Sequence, residues 1–115
     1  MRRLIKSFGY AVSGLTYAIK TQANFRIHLV AVVIVTLAGC YFHLALNEWL
    51  TIIFVIGLVL VTELINTSIE VLVDLVSPDF NDKAGKVKDI AAAAVLLAAF
   101  IAVVTGAIIF IPKLY

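Results

Sequence analysis

Apolar residues fill three long stretches of the chain, and in a fourth they recur every three or four residues among polar ones. The long stretches are 27–46, 49–76 and 90–111, and the first has no formally charged residue. About 20 apolar residues are needed to cross the hydrocarbon core of a bilayer, so each stretch is long enough to span a membrane. Because unpaired backbone groups are costly in lipid, we predict that all three stretches are helices.

The fourth stretch, about 1–22, predicts an amphipathic helix on the membrane surface. Its apolar side chains recur at helical spacing, at Ile5, Phe8, Val12, Leu15 and Ile19. A second, polar set falls largely on the other side, at Arg2, Lys6, Ser13 and Lys20. The basic start is also compatible with a signal peptide, but small and polar residues interrupt the compact apolar segment that a signal peptide needs.

Composition agrees with a membrane protein. Hydrophobic residues make up 63% of the 115 residues and charged residues 14%, whereas soluble domains are nearer half apolar and a quarter charged. The length fits one domain, 1–115, of the all-α membrane class. The single cysteine, Cys40, lies in an apolar stretch without a disulfide partner, which favours a packing role.

The basic residues predict the orientation of the chain in the membrane. Eight of the nine lie before the first span or between the second and third, namely Arg2, Arg3, Lys6, Lys20, Arg26, Lys83, Lys86 and Lys88. Such an excess marks the cytoplasmic side, so we place the N-terminus there. Trp49 then lies at the outer interface, where we also expect His43.

A polar stripe crosses the second span in the motif "ELINTSIEVLVD", residues 63–74. At about 100° per residue, Glu63, Asn66, Glu70 and Asp74 fall within an arc of about 80°. Glu63 lies about 21 Å along the helix from Trp49, which is inside the apolar slab, whereas Glu70 lies about 32 Å along and reaches the cytoplasmic surface. Ionisable residues at membrane depth are costly, which favours a functional site.

Hydrogen bonding between packed helices is the alternative explanation for the stripe. It accounts for Asn66 but not for three carboxylates on one side, which repel one another and need a cation. Either a metal ion or the lysines of "SPDFNDKAGKVKD", residues 77–89, must neutralise them. Carboxylates for Mg²⁺ and lysines near a helix N-terminus for phosphate are parts of a phosphoryl-transfer site. An acidic pore in a non-catalytic channel subunit is the alternative from another class.

Small residues recur every four positions in the third span, at Ala94, Ala98, Ala102 and Gly106. Such a stripe permits close helix packing, either within one subunit or between subunits. Three spans are few for an enclosed active site, which favours an oligomer with sites between subunits.

The motif "ELINTSIEVLVD", followed by "KD" and an alanine-rich helix, closely resembles the prokaryotic diacylglycerol kinase family of membrane lipid kinases. The resemblance extends from "RLIKSFGYAVSGL" to "IIFIPKL", and "ANFRIH", "NEW" and "FIPKL" are more similar to its undecaprenol kinase branch. It implies a homotrimer in the bacterial plasma membrane, with cytoplasmic sites shared between subunits and no nucleic-acid partner. The implied reaction is phosphorylation of a membrane lipid alcohol by MgATP, with undecaprenol as the favoured substrate and diacylglycerol as the alternative.

Matching positions within the family imply the role of each site residue. Glu63 would be the general base for the lipid hydroxyl, Asn66 would help to hold the active site, Glu70 would ligate Mg²⁺ and Asp74 would support them. The ATP site would be lined by Arg3, Tyr10, Asp79, Phe80, Asn81, Lys88 and Asp89.

One position departs from the family pattern. Gln22 stands where a second metal-binding glutamate is usual, and its amide oxygen can ligate Mg²⁺ but brings no charge. We therefore keep Gln22 as a candidate ligand of the metal. For His28, which follows shortly after, we expect a contact with lipid head groups.

Overall fold

A computed structural model describes residues 1–115, and every regular element in it is helical. The helices are α1 (Arg2–Thr21), α2 (Ala23–Tyr41), α3 (Leu46–Val76) and α4 (Asp82–Phe110), and a 3₁₀ turn at Ile111–Leu114 follows α4. α2, α3 and the stretch from α4 into the 3₁₀ turn are long and apolar enough to cross a membrane. The predicted all-α class and the three spanning helices are therefore confirmed.

The three spanning helices begin before the predicted spans, at 23, 46 and 82 instead of 27, 49 and 90, and α2 ends before its predicted end. α2 ends at Tyr41, so the prediction that 27–46 is helical throughout is wrong for 42–45, which form the turn before α3. His43 takes a left-handed backbone conformation there, with φ 53°, which histidine adopts more readily than most residues. α4 begins well before the predicted start at 90, because the side chain of Asn81 accepts hydrogen bonds from the backbone N–H groups of Lys83 and Ala84. Such an N-cap satisfies two donors of the first turn.

α3 is the central helix of the fold. It packs against both α2 and α4, which do not pack against each other. Its buried side chains are apolar toward the N-terminus and polar toward the C-terminus, in the order Ile52, Val55, Val59, Glu63, Asn66 and Thr67. The 31 residues of α3 extend about 46 Å, whereas the hydrocarbon core is about 30 Å thick. The ends of α3 therefore project beyond the hydrocarbon.

The N-terminal end of α3 is closed by contacts within the chain. A Cβ atom at Gly39 would lie 2.5 Å from the Trp49 ring, so a glycine is needed where α2 meets α3. The two carboxylate oxygens of Glu48 are both paired. One accepts a hydrogen bond from the backbone N–H of Ala45 at 2.9 Å, and the other lies 3.1 Å from Lys113 Nζ.

A tight corner joins α1 to α2. The backbone is extended only at Gln22, with φ −111° and ψ 104°. The Arg26 guanidinium donates hydrogen bonds to the carbonyl oxygens of Ile19 and Lys20, at 2.7 and 3.1 Å. It thereby caps the C-terminus of α1 and fixes the angle between the two helices. The placement of α1 on the membrane surface stays a prediction.

The small-residue stripe on α4 is used unevenly within the chain. Ala98 is buried, Ala102 and Gly106 are half-buried, and Ala94 is exposed. The middle of the stripe therefore packs inside the subunit, while Ala94 leaves a small surface free at the other end.

Candidate active site

The polar stripe of α3 is buried at its centre. Glu63 is 2% exposed, Asn66 7% and Thr67 5%. Thr67 Oγ1 donates a hydrogen bond to the Glu63 carbonyl oxygen at 3.0 Å, so its hydroxyl is satisfied within the helix. The Glu63 and Asn66 side chains are thus held between helices rather than facing lipid.

Two buried oxygen atoms in this stripe have no hydrogen-bond partner, Glu63 Oε2 and Asn66 Oδ1. The other end of the Asn66 amide is used, because Nδ2 donates to Glu70 Oε1 at 3.2 Å. A buried polar atom without a partner costs about 1–3 kcal/mol, and such atoms are few in native proteins. Two free acceptors within one helical turn mark a place where a ligand with a hydroxyl donor or a cation fits.

His28 lies next to the free oxygen of Glu63. Its Nε2 atom is 3.8 Å from Glu63 Oε2, and its side chain is 23% exposed. His28 therefore faces α3, and its expected contact with lipid head groups stays a prediction. Its register explains this orientation: Phe25 is buried, and residues three apart share one side of a helix. Because α2 is apolar on all sides, the sequence alone does not show that Phe25 and His28 lie on the buried side.

An ion pair forms the second part of the site, between the C-terminal end of α3 and the second turn of α4. Lys88 Nζ lies 2.5 Å from Asp74 Oδ1, with side chains 39% and 65% exposed. At that exposure the pair contributes only about 0.2–1 kcal/mol to stability. It nevertheless shows that a lysine of residues 77–89 pairs with a carboxylate of the stripe.

A cavity of about 160 Å³ opens beside this ion pair. Five of the predicted site residues line it together: Asp74, Asp79, Phe80, Asn81 and Lys88. Ser77 and Gly85 line it as well and were missed, because neither has a side chain that signals chemistry in a sequence. The first turn of α4, capped by Asn81, borders the cavity and presents the positive end of the helix dipole.

Other predicted site residues do not join these groups within the chain. Arg3 and Tyr10 are exposed on α1, and Asp89 is exposed and does not line the cavity. Gln22 is half-buried at the corner, and its side chain donates to Thr21 Oγ1 at 3.2 Å. The structure thus assembles the α3 and 77–88 parts of the predicted site, and leaves the α1 part separate.

The donors present suit a hard cation bound jointly with a substrate. No three His, Cys, Asp or Glu side chains converge as a metal site. Mg²⁺, however, is commonly held by one or two carboxylates together with substrate phosphates and water. The Glu70 carboxylate and the free Oδ1 atom of Asn66 are oxygen ligands of this kind, and Asn66 Nδ2 holds the two side chains together by donating to Glu70 Oε1.

An apolar groove runs from the site along the gap between α2 and α4. Its volume is about 310 Å³, and 12 of its 14 lining residues are hydrophobic. His28 is the only polar side chain in the lining, and it marks the end nearest Glu63. The groove therefore leads an apolar chain toward the buried carboxylate.

Comparison with known proteins identifies the family. The sequence profile described as Prokaryotic diacylglycerol kinase matches residues 9–110. The chain belongs to the prokaryotic diacylglycerol kinase family. This membership confirms the resemblance inferred from the motif and makes the protein a multi-pass membrane lipid kinase with ATP as its co-substrate.

Characterised relatives carry two different substrate names. An undecaprenol kinase of Bacillus subtilis is 38% identical over 99% of this chain and 93% of its own length. A diacylglycerol kinase of Synechocystis sp. is 42% identical over 96% of this chain, which spans 64% of that protein. The diacylglycerol kinase of Escherichia coli is 34% identical over 93% of this chain and 88% of its own length. The similarities thus support the lipid kinase rather than a channel subunit, and they leave the lipid open.

Proposed function

We propose that this lipid kinase transfers the γ-phosphoryl group of ATP to undecaprenol and forms undecaprenyl phosphate. The observation that carries the proposal is the buried carboxylate of Glu63, with a free oxygen, at the end of an apolar groove. The second candidate substrate is diacylglycerol, which would give phosphatidic acid. The groove favours the polyprenol, because a diacylglycerol buries two ester groups that need hydrogen-bond donors, and His28 is the only polar side chain there.

In the proposed reaction Glu63 is the general base. The lipid hydroxyl loses its proton to the Glu63 carboxylate as its oxygen bonds to the γ-phosphorus and the bond from that phosphorus to ADP breaks. The groove holds the lipid tail, so the hydroxyl meets Glu63 at a fixed depth, and much of the catalysis is orientation. Asn66 helps to hold the site through its hydrogen bond to Glu70.

We assign ATP to the cavity beside the Asp74–Lys88 ion pair. Lys88 and the N-terminus of α4 attract phosphate there, and Asp79, Phe80 and Asn81 line the same space. Arg3, Tyr10 and Asp89 complete the nucleotide site in this proposal. Glu70, with Gln22 as a weaker candidate, would hold Mg²⁺, which when bound neutralises the charge of the phosphates.

We further propose a homotrimer with its sites between subunits and the N-terminus in the cytoplasm. Support for shared sites comes from the exposed positions of Arg3, Tyr10 and Asp89, which one chain leaves apart from the carboxylates. Support for the orientation comes from the basic residues, eight of which precede the first predicted span or lie between the second and third. Such an excess is typical of the cytoplasmic side. In this arrangement α1 lies on the cytoplasmic membrane surface.

A direct test measures phosphate transfer from radiolabelled MgATP to undecaprenol and to diacylglycerol in the same bilayer. We expect a higher kcat/KM for undecaprenol. A higher value for diacylglycerol would make the protein a diacylglycerol kinase, and transfer to neither lipid would overturn the proposal.

A further inference from the structure

The one nearly fully buried carboxylate of the structure has a histidine beside it. Three acidic side chains lie within 4 Å of a basic one, and Glu63, at 2% exposure, is the only partner in these pairs that is almost completely buried. Its Oε2 atom accepts no hydrogen bond. The His28 Nε2 atom, 3.8 Å away on α2, belongs to the one basic side chain within 4 Å of Oε2.

Other polar side chains around Glu63 are already engaged. Asn66 Nδ2 donates to Glu70, and the Thr67 hydroxyl donates to the Glu63 carbonyl oxygen rather than to its carboxylate. Neither side chain donates to Oε2, and His28 is the basic side chain placed to do so.

The distance of 3.8 Å is longer than a hydrogen bond. Catalytic hydrogen bonds in unliganded sites are often long and shorten when substrate binds. His28 also lines the apolar groove, so a substrate chain in the groove would contact the imidazole. A bound chain therefore restricts the motion of the ring beside Glu63.

We propose that His28 is a positioning residue for Glu63. With its proton on Nε2, the imidazole holds Glu63 Oε2 and leaves Oε1 directed at the lipid hydroxyl. This inference rests on the proposed role of Glu63 as the base. Because His28 acts through the orientation of another residue, its loss lowers kcat and leaves the KM values for ATP and lipid nearly unchanged.

Two substitutions separate this role from simple packing. His28→Leu keeps the bulk of the side chain and removes the donor, and we expect kcat to fall about 10- to 100-fold, as for residues that orient catalytic ligands. His28→Gln places an amide N–H at a similar reach, and we expect kcat within about threefold of the parent protein, since a neutral hydrogen bond is kept. Both KM values stay within about twofold in either variant. If His28→Leu does not fold in detergent, His28→Met takes its place, because it also keeps the bulk and removes the donor.

The other histidine provides the control. His43 lies in the turn at the far end of α3, and asparagine also tolerates its left-handed backbone, so His43→Asn keeps the parent kcat. Equal losses in the Leu and Gln variants, full activity of His28→Leu, or a change confined to KM would each overturn the inference. If instead the parent protein phosphorylates no lipid, or Glu63→Gln remains active, the proposed function fails first.

Discussion

The two halves of α3 differ in whether their polar side chains find partners within the chain. In the N-terminal half two contacts are completed within the chain: Gly39 packs closely against the Trp49 ring, and both carboxylate oxygens of Glu48 have partners. In the C-terminal half Glu63 and Asn66 are buried more deeply than Glu48, yet each keeps an oxygen without a partner. One half therefore stabilises the fold, and the other keeps unpaired oxygens, which the proposed reaction would use.

This contrast explains why buried polar groups are kept in a small membrane protein. Each unpaired buried acceptor costs about 1–3 kcal/mol, and an apolar residue in its place would avoid that cost. In the proposed reaction, substrate groups pair with these oxygens and offset this cost. Where the pairing is strongest in the transition state, it raises the rate of the reaction. The closed N-terminal half offsets the loss by fixing α2 and the 3₁₀ turn on α3.

The largest effect should come from Glu63→Gln. Removing the proposed base is expected to lower kcat by roughly 10²- to 10⁴-fold, while the fold persists because an amide is easier to bury than a charge. Phosphate transfer to the lipid measures the first effect, and binding of a nucleotide analogue shows that the site still forms.

Glu48→Gln is the matched control, since it makes the same change on the same helix. It should leave kcat unchanged and lower the free energy of unfolding by at most about 1 kcal/mol, because it weakens only a partly exposed ion pair. Similar activity in the two variants would contradict the contrast between the halves.

A smaller effect, on stability, should come from Gly39→Ala. The new methyl group meets the Trp49 ring at 2.5 Å, so we expect a loss of about 1–3 kcal/mol in the free energy of unfolding. Denaturant titration in detergent measures it. Gly57→Ala on α3 is the control, because a Cβ atom there meets nothing. Destabilisation by both variants to the same extent would show that the contact with Trp49 is not the cause.

The helices and the stripe were predictable because they depend on local pattern. Apolar length defines a spanning helix, and a spacing of three and four residues places Glu63, Asn66 and Glu70 on one side. The turn at 42–45 was not predictable, because its residues "FHLA" are as apolar as the helix before it. The close approach of Gly39 to Trp49 beside this turn is a tertiary contact, which local pattern does not report.

The candidate site likewise combines features that the local sequence predicts with features that depend on tertiary contacts. The N-cap at Asn81 had a local signal, an asparagine directly before a helix, and it explains the early start of α4. The inward orientation of His28 depends on the packing of α2 against α3, which buries Phe25 on the same side. The corner before α2 likewise involves a contact between helices, since Arg26 donates to the carbonyl oxygens of Ile19 and Lys20. No periodicity in the sequence reports such a contact.

The smallest effect concerns Gln22, at the corner between α1 and α2. If Gln22 contributes to Mg²⁺ binding beside Glu70, Gln22→Glu adds a charge to the ligand set, and half-maximal activity should require about threefold less Mg²⁺, in the range of a partly exposed charge pair. Asn24→Asp is the matched control, because it introduces a carboxylate two residues away at an exposed position. A shift in Gln22→Glu alone would place Gln22 at the metal site, together with Glu70 of α3. Equal shifts in both variants would reflect only added surface charge, and no shift would remove Gln22 from the metal site.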